Sequence, residues 1–125
     1  ATPARTPLIG DGALKKGVTV IAIGSDGPAK QELAASVVAS ADKIVTDLTS
    51  QCIGLGELHH AVAAGLMAGN DVYAELGEIV LDTKPGREAD ETIICDLTGV
   101  GAQDAAIGEA AFLELAGQDA RAGAH

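Results

Sequence analysis

Hydrophobic and polar positions alternate along this chain in short blocks, and the period changes from block to block. Val18 to Ile23 is a compact run rich in β-branched residues, the pattern of a strand covered on both faces. Ala29 to Ser40 switches to spacings of three and four and predicts a helix beginning after Pro28, with Leu33, Val37 and Val38 facing inward. Lys43 to Leu48 reads as a second strand. Thr49 to Ala68 is the longest helical pattern, its face made by Leu55, Leu58, Val62 and Leu66 and ended by Gly69-Asn70. Tyr73 to Leu81 predicts a shorter helix, broken by Lys84-Pro85-Gly86-Arg87. Thr92 to Asp96 is a third strand, Thr98 to Gly101 a turn, and Ala102 to Ala116 a closing helix. Residues 1 to 12 read as an extended lead-in, Gly12 to Lys16 as a short helical turn stopped by Gly17, and residues 117–125 as a frayed tail.

The order is strand, helix, strand, two helices, strand, helix. Such alternation predicts an α/β fold with a parallel sheet of about three strands, helices on both faces and right-handed crossovers. A doubly wound domain usually has about five or six strands, so the pattern fits part of one. The 125 residues form a single unit with no internal repeat or linker.

Composition narrows the packing and the partners. Apolar residues are 47% of the chain, yet there is one Phe, one Tyr and no Trp, so Ala, Val, Ile and Leu must build the core. The net charge of −10, from 18 acids against 8 bases, disfavours nucleic acid, whose phosphates an acidic surface repels. No apolar run is long enough to span a membrane, and the first residues lack a signal-peptide pattern. Cys52 and Cys95 stand far apart without a Cys-x-x-Cys grouping, which fits two free thiols in a reducing, cytoplasmic setting.

Candidate chemistry gathers where the first strand ends. Gly24-Ser25-Asp26-Gly27-Pro28-Ala29-Lys30 places an acid and a base in the strand-to-helix turn, where ligands bind in open α/β sheets. Asp26 could exchange a proton with a substrate or a water; equally, an Asp before Gly and Pro hydrogen-bonds its own turn. Lys30 could meet ligand charge or be an ordinary solvated lysine. Thr98-Gly99 follows a strand and precedes a helix, so its amides could face a polar ligand.

Other constellations are read as structural. His59 and His60 are neighbours on a helix and point about a hundred degrees apart, so they cannot chelate one ion together, and no metal site is expected. Glu75 and Glu78 read as a solvated helix face. Cys95 reads as a small core residue, and Cys52 as a thiol near a helix start with no partner for nucleophilic work. Asp104, beside the Thr98–Gly101 turn, reads equally as an acid at a helix start or as a participant in chemistry.

Four segments, in order, resemble the ornithine cyclodeaminase/mu-crystallin family. They are Ala1 to Leu8; Gly24 to Leu33, similar to the family's Gly-x-Asp-x-Pro-Gly-Lys-x-Glu-Leu; Gln51 to His60 with Ala74 to Glu78 and Lys84 to Arg87; and Cys95 to Asp104. The Leu-Thr-Gly at 97–99 and the Gly-Glu-Leu-His at 56–59 are closer to the alanine dehydrogenase and ectoine-utilisation-like branch than to the cyclodeaminases proper. Ala29 stands where the family usually has Gly, and Leu97 where the cyclodeaminase branch has Ser.

The resemblance implies a Rossmann-type NAD(P)-binding domain, of which residues 1–125 match the C-terminal half, and hydride transfer with a small amino or imino acid. It implies Asp26 as the catalytic acid, and Ile23, Gly24, Ser25, Lys30, Thr98 and Gly99 as cofactor contacts for NAD or NADP. The chain holds no Gly-x-Gly-x-x-Gly after a strand, the turn that carries the pyrophosphate. Alone it is therefore expected to bind cofactor weakly or not at all and to be inactive, and its open sheet to require a homo-oligomer or a completing partner chain. The alternative is a stand-alone, non-catalytic binding or assembly module.

Overall fold

The computed structural model describes residues 1–122. Its centre is a parallel sheet of four strands: β1 (Thr19–Ala22), β2 (Lys43–Thr46), β3 (Ala74–Glu75) and β4 (Ile93–Asp96), in the order β1-β4-β2-β3. Ala22 and Thr46 both stand level with Asp96 of β4, so these strands end together on one rim. The expected parallel α/β architecture is present with one strand more than the three read from sequence. The addition, β3, lies inside the stretch expected to be helical from Tyr73. Tyr73 N–H donates to the Ile44 carbonyl at 2.9 Å, and Ala74 and Glu75 pair with Val45 and Thr46 before the chain coils into α4 (Leu76–Val80). Pairing across the fold overrides the local helical spacing there.

Period-two alternation sorts the strand residues between two faces. Ala22, Ile44 and Ile94 face α1 (Ala35–Ala39) and α3 (Gly56–Ala63), and with Leu33, Val37, Val38 and Ala61 they make the core. The opposite face carries Lys43, Val45, Ile93 and Cys95. There Tyr73, Leu76 and Ile79 border a groove of about 200 Å³. Towards β1 this face is uncovered: Ile21 is 65% and Ile23 53% exposed. The first strand is thus an edge strand bare on one side, not the doubly covered strand that its apolar run predicts. Lys43 is buried on that face, its Nζ held by Glu88 at 3.1 Å and Glu91 at 3.0 Å over the Tyr73 ring.

Two expected helices are cut short, each by long-range partners. Residues 29–34 are not helical, because their backbone groups bond the lead-in. The Glu32 carbonyl accepts from Leu8 and Ile9 N–H, Ala34 N–H donates to the Ile9 carbonyl, and Ile9 bridges Leu33. The Thr49–Ala68 pattern splits into α2 (Thr49–Cys52) and α3. The break is Gly56, whose φ of +58° lies in the left-handed region that favours glycine. No helical turn forms at 12–16, where Gly12 is also left-handed. The closing helix α5 (Gly101–Ala122) is longer than expected, and residues 101–116 are all exposed. Of the tail expected to fray, residues 123–125 lie outside the described residues.

Candidate functional site at the carboxyl rim of the sheet

Where β1 ends, Ile23 stays exposed, Gly24 and Ser25 turn inward, and Asp26 emerges into solvent. The Glu32 carboxylate occupies the place of a Cβ at Gly24, so a side chain there would require that carboxylate to move. Ser25 is 2% exposed, and its hydroxyl donates to the Lys30 carbonyl at 2.6 Å. A tight turn, closed by Lys30 N–H donating to the Gly27 carbonyl at 3.0 Å, brings Lys30 Nζ to 2.5 Å from Asp26 Oδ1. The Lys30 hydrogen bond and positive charge hold the Asp26 carboxyl below the usual carboxylate range. Asp26 and Lys30 thus meet through this turn and not along a helix, as the sequence pattern had suggested.

Beside it, β4 delivers Thr98 and Gly99. Pairing joins the two exits directly, since Leu97 N–H donates to the Ala22 carbonyl at 2.9 Å. The Thr98-Gly99 turn is held from behind by two residues that sequence reasoning passed over. Asp47, just beyond β2, accepts Gly99 N–H at 2.7 Å and the Thr98 hydroxyl at 3.2 Å. Gln51 Nε2 donates to Thr98 Oγ1 at 2.8 Å and to the Gly99 carbonyl at 2.7 Å. Burial pushes the Asp47 carboxyl up, but the backbone N–H groups of Thr98 and Gly99 outweigh it and hold it low. Gly99 N–H is therefore committed inward. What the turn offers outward is the Gly99 Cα, at φ +81° with open space where a side chain would stand.

Asp96 and Glu57 were also passed over as site residues, and both are buried. Asp96 accepts Glu57 N–H at 3.0 Å and Leu58 N–H at 2.8 Å, the first turn of α3. Burial pushes its carboxyl up to about 6 against those two donors, and the nearby charges of Glu57 and Asp47 push the same way. Glu57 is likewise raised by burial, opposed by the N–H groups of Leu33 and Glu32. The sequence signals were an acid ending an apolar strand and the Gly56-Glu57 pair opening a helix. Neither says which distant amides need an acceptor.

Several secondary readings change. Cys52 ends α2 instead of starting a helix. It is fully buried, and burial with the Asp96 charge pushes its thiol up to about 12, so it is unreactive. Cys95 is half-buried at the groove. Glu75 and Glu78 are not a solvated pair: Glu75 accepts Thr49 N–H at 2.8 Å, and Glu78 accepts Glu75 N–H at 2.9 Å. His59 and His60 are both half-buried and bond different carbonyls, Ile53 at 3.0 Å and Lys30 at 2.6 Å. Asp104 lies exposed in the first turn of α5. Among the described residues no cluster of three His, Cys, Asp or Glu could hold a metal ion, and no helix is long and apolar enough to cross a membrane.

A parallel sheet whose adjacent strand exits gather an acid–base pair and a glycine turn defines the class of Rossmann-type ligand-binding domains. Residues 1–113 match the ornithine cyclodeaminase/mu-crystallin family, and the chain belongs to that family. It is 46% identical over 112 residues to the uncharacterized cyclodeaminase y4tK of Sinorhizobium fredii, covering 89% of this chain and 34% of that protein. The crystal structure of the iminosuccinate reductase of Paracoccus denitrificans in complex with NAD+ is 40% identical with a TM-score of 0.86, over 95% of this chain and 36% of that one. An archaeal alanine dehydrogenase dimer with bound NAD is 37% identical with a TM-score of 0.85, over 94% and 37%. The chain thus spans about a third of the length of the curated relatives it matches.

Proposed function

We propose that this chain forms the nicotinamide-side half of an NAD(P)-binding domain in a protein that moves hydride between the cofactor and the α-carbon of a small amino or imino acid. The observation that carries this reading is the direct pairing of the β1 and β4 exits, which sets the Asp26–Lys30 turn beside the Thr98-Gly99 turn. The rim suits a flat ring. Gly99 has open space at its Cβ position, and Ile23 exposes an apolar side chain on the neighbouring exit. Bound there, the nicotinamide would supply or accept the hydride.

The rest of the chemistry falls to the chain's own residues. Asp26 is a carboxylate at neutral pH, oriented by Lys30 through Oδ1, and in that form it can accept a proton from an amine nitrogen or a water and return it in the reverse direction. With Oδ1 on Lys30, Oδ2 is the oxygen that would hold the proton. Ser25 acts on the Lys30 carbonyl and so supports the turn's shape. Thr98 and Gly99, fixed by Asp47 and Gln51, form a preset wall for the ring.

The test is NAD(P)H-dependent reduction of a panel of α-imino acids by the protein that carries this segment with its pyrophosphate-binding half. Asp26→Asn is expected to lower kcat by roughly 10²- to 10⁴-fold while leaving cofactor affinity within a few-fold. Turnover that survives Asp26→Asn would remove Asp26 from the chemistry.

A further inference from the structure

Glu57 and Asp96 are 0% and 1% exposed, and neither is ion-paired among the described residues. Burying carboxylates in this way is costly and is tolerated only when hydrogen-bond donors satisfy both oxygens. Here the donors are all backbone N–H groups. Asp96 binds the first turn of α3 to the end of β4. From that turn Glu57 reaches the opposite way: Oε1 accepts Glu32 N–H at 2.8 Å and Oε2 accepts Leu33 N–H at 3.0 Å. His60, three residues on and on the same face of the helix, places Nε2 at 2.6 Å from the Lys30 carbonyl. A carbonyl can only accept, so Nε2 carries the proton. Gly56 N–H donates to the Ser25 carbonyl at 2.9 Å.

The α3 helix therefore grips the segment that carries Asp26 and Lys30 at both ends. Residues 27–34 have no helix of their own to shape them. Two glycines serve the same device, since the carboxylate of Asp96 fills the Cβ place of Gly56 and that of Glu32 fills the Cβ place of Gly24. We propose that Glu57, with His60 as a second anchor one turn along α3, is a positioning residue that sets the geometry of the Asp26–Lys30 pair. It acts through the backbone of Lys30, Glu32 and Leu33 and touches no substrate. Its relevance to turnover rests on the reading of Asp26 given above; the positioning itself does not.

The experiment follows the Lys30 side-chain ammonium by ¹⁵N NMR at neutral pH in the 125-residue chain, where a hydrogen bond to Asp26 slows proton exchange with water. Glu57→Gln keeps the size of the side chain but turns an N–H₂ towards one of the two amides. Lys30 ammonium exchange is expected to become several-fold faster, while amide protection at Ile44 and Ile94 stays as in the parent. A purely structural role would instead lower protection throughout the sheet and leave the Lys30 signal of the folded population unchanged.

The second arm compares His60→Ala with His60→Gln. Both lack the imidazole, but Gln retains a donor for the Lys30 carbonyl, so Ala is expected to loosen the pair and Gln to restore it. If Glu57→Gln does not fold, the His60 comparison decides alone. Parent-like Lys30 exchange in every folded variant overturns the proposal. If Lys30 exchange changes as expected while Asp26→Asn leaves turnover intact, the positioning stands and the catalytic reading of Asp26 falls.

Discussion

Gly56 shows how much one residue can decide at this rim. Its φ of +58° disfavours any side chain, and the Asp96 carboxylate already stands where a Cβ would go. Gly56→Ala should therefore cost about 2–3 kcal/mol, strain and displaced capping together, measured by urea unfolding. A cost no larger than that of alanine at an open left-handed glycine such as Gly99 would mean that Asp96 yields freely. Asp96 also sets a pH window. Its folded-state carboxyl lies near 6, above its ordinary value, so the folded state binds the extra proton between about 4 and 6 and stability falls as pH rises through that range. The drop is of the order of 3 kcal/mol. Asp26, Asp47, Glu78 and Glu91 are held low instead, so their contribution is lost only as pH falls below about 4. Asp96→Asn should lower stability overall by losing one acceptor, yet flatten the slope between pH 4 and 6. An unchanged slope would assign that window to Glu57, which is raised in the same direction.

At the scale of elements, burial separates helices that hold the fold from one that does not. The α1 and α3 helices share a core with the sheet, whereas residues 101–116 of α5 leave Ile107, Phe112, Leu113 and Leu115 more than 60% exposed. Ile94→Ala, at a fully buried position of β4, should cost about 2–5 kcal/mol in thermal or urea unfolding. Phe112→Ala should change stability by less than about 0.5 kcal/mol, despite removing the larger side chain. Equal costs would mean that α5 packs on the sheet in solution. The same scale explains why element boundaries were misread. The apolar spacing of 29–40 and 73–81 is helical, but Ile9 and Val45 offer strand-like partners that no local window contains.

For the whole molecule, the bare side of β1 matters most. Ile21 of β1, Ile23 just beyond it and Leu8 of the lead-in are each more than half exposed, beside a strand edge that has no partner strand among the described residues. Such a surface favours association with another copy or a completing chain. Gel filtration of the 125-residue chain should show concentration-dependent self-association, and NADH fluorescence should report binding too weak to saturate at micromolar cofactor. A folded monomer at all concentrations would count against the first expectation. Tight NADH binding would show a more complete site than the chain's missing glycine fingerprint implies.

Much of this was legible in the chain itself. Strand identity at 18–23, 43–48 and 92–96, the parallel α/β class and the position of the Gly24–Lys30 motif at a strand end all follow from period and residue type, which act locally. The motif's order with Thr98-Gly99 was legible as well, through resemblance to a family. The sequence could not disclose which groups would be brought together from a distance. Asp47 and Gln51 behind Gly99, Asp96 beneath α3, and Glu57 on the amides of Glu32 and Leu33 are separated in the chain by tens of residues. An acid in a sequence is the same letter whether it is solvated or buried. Its role is set by whether folding delivers an unsatisfied donor to it, because an unpaired buried N–H or carboxylate is too costly to leave.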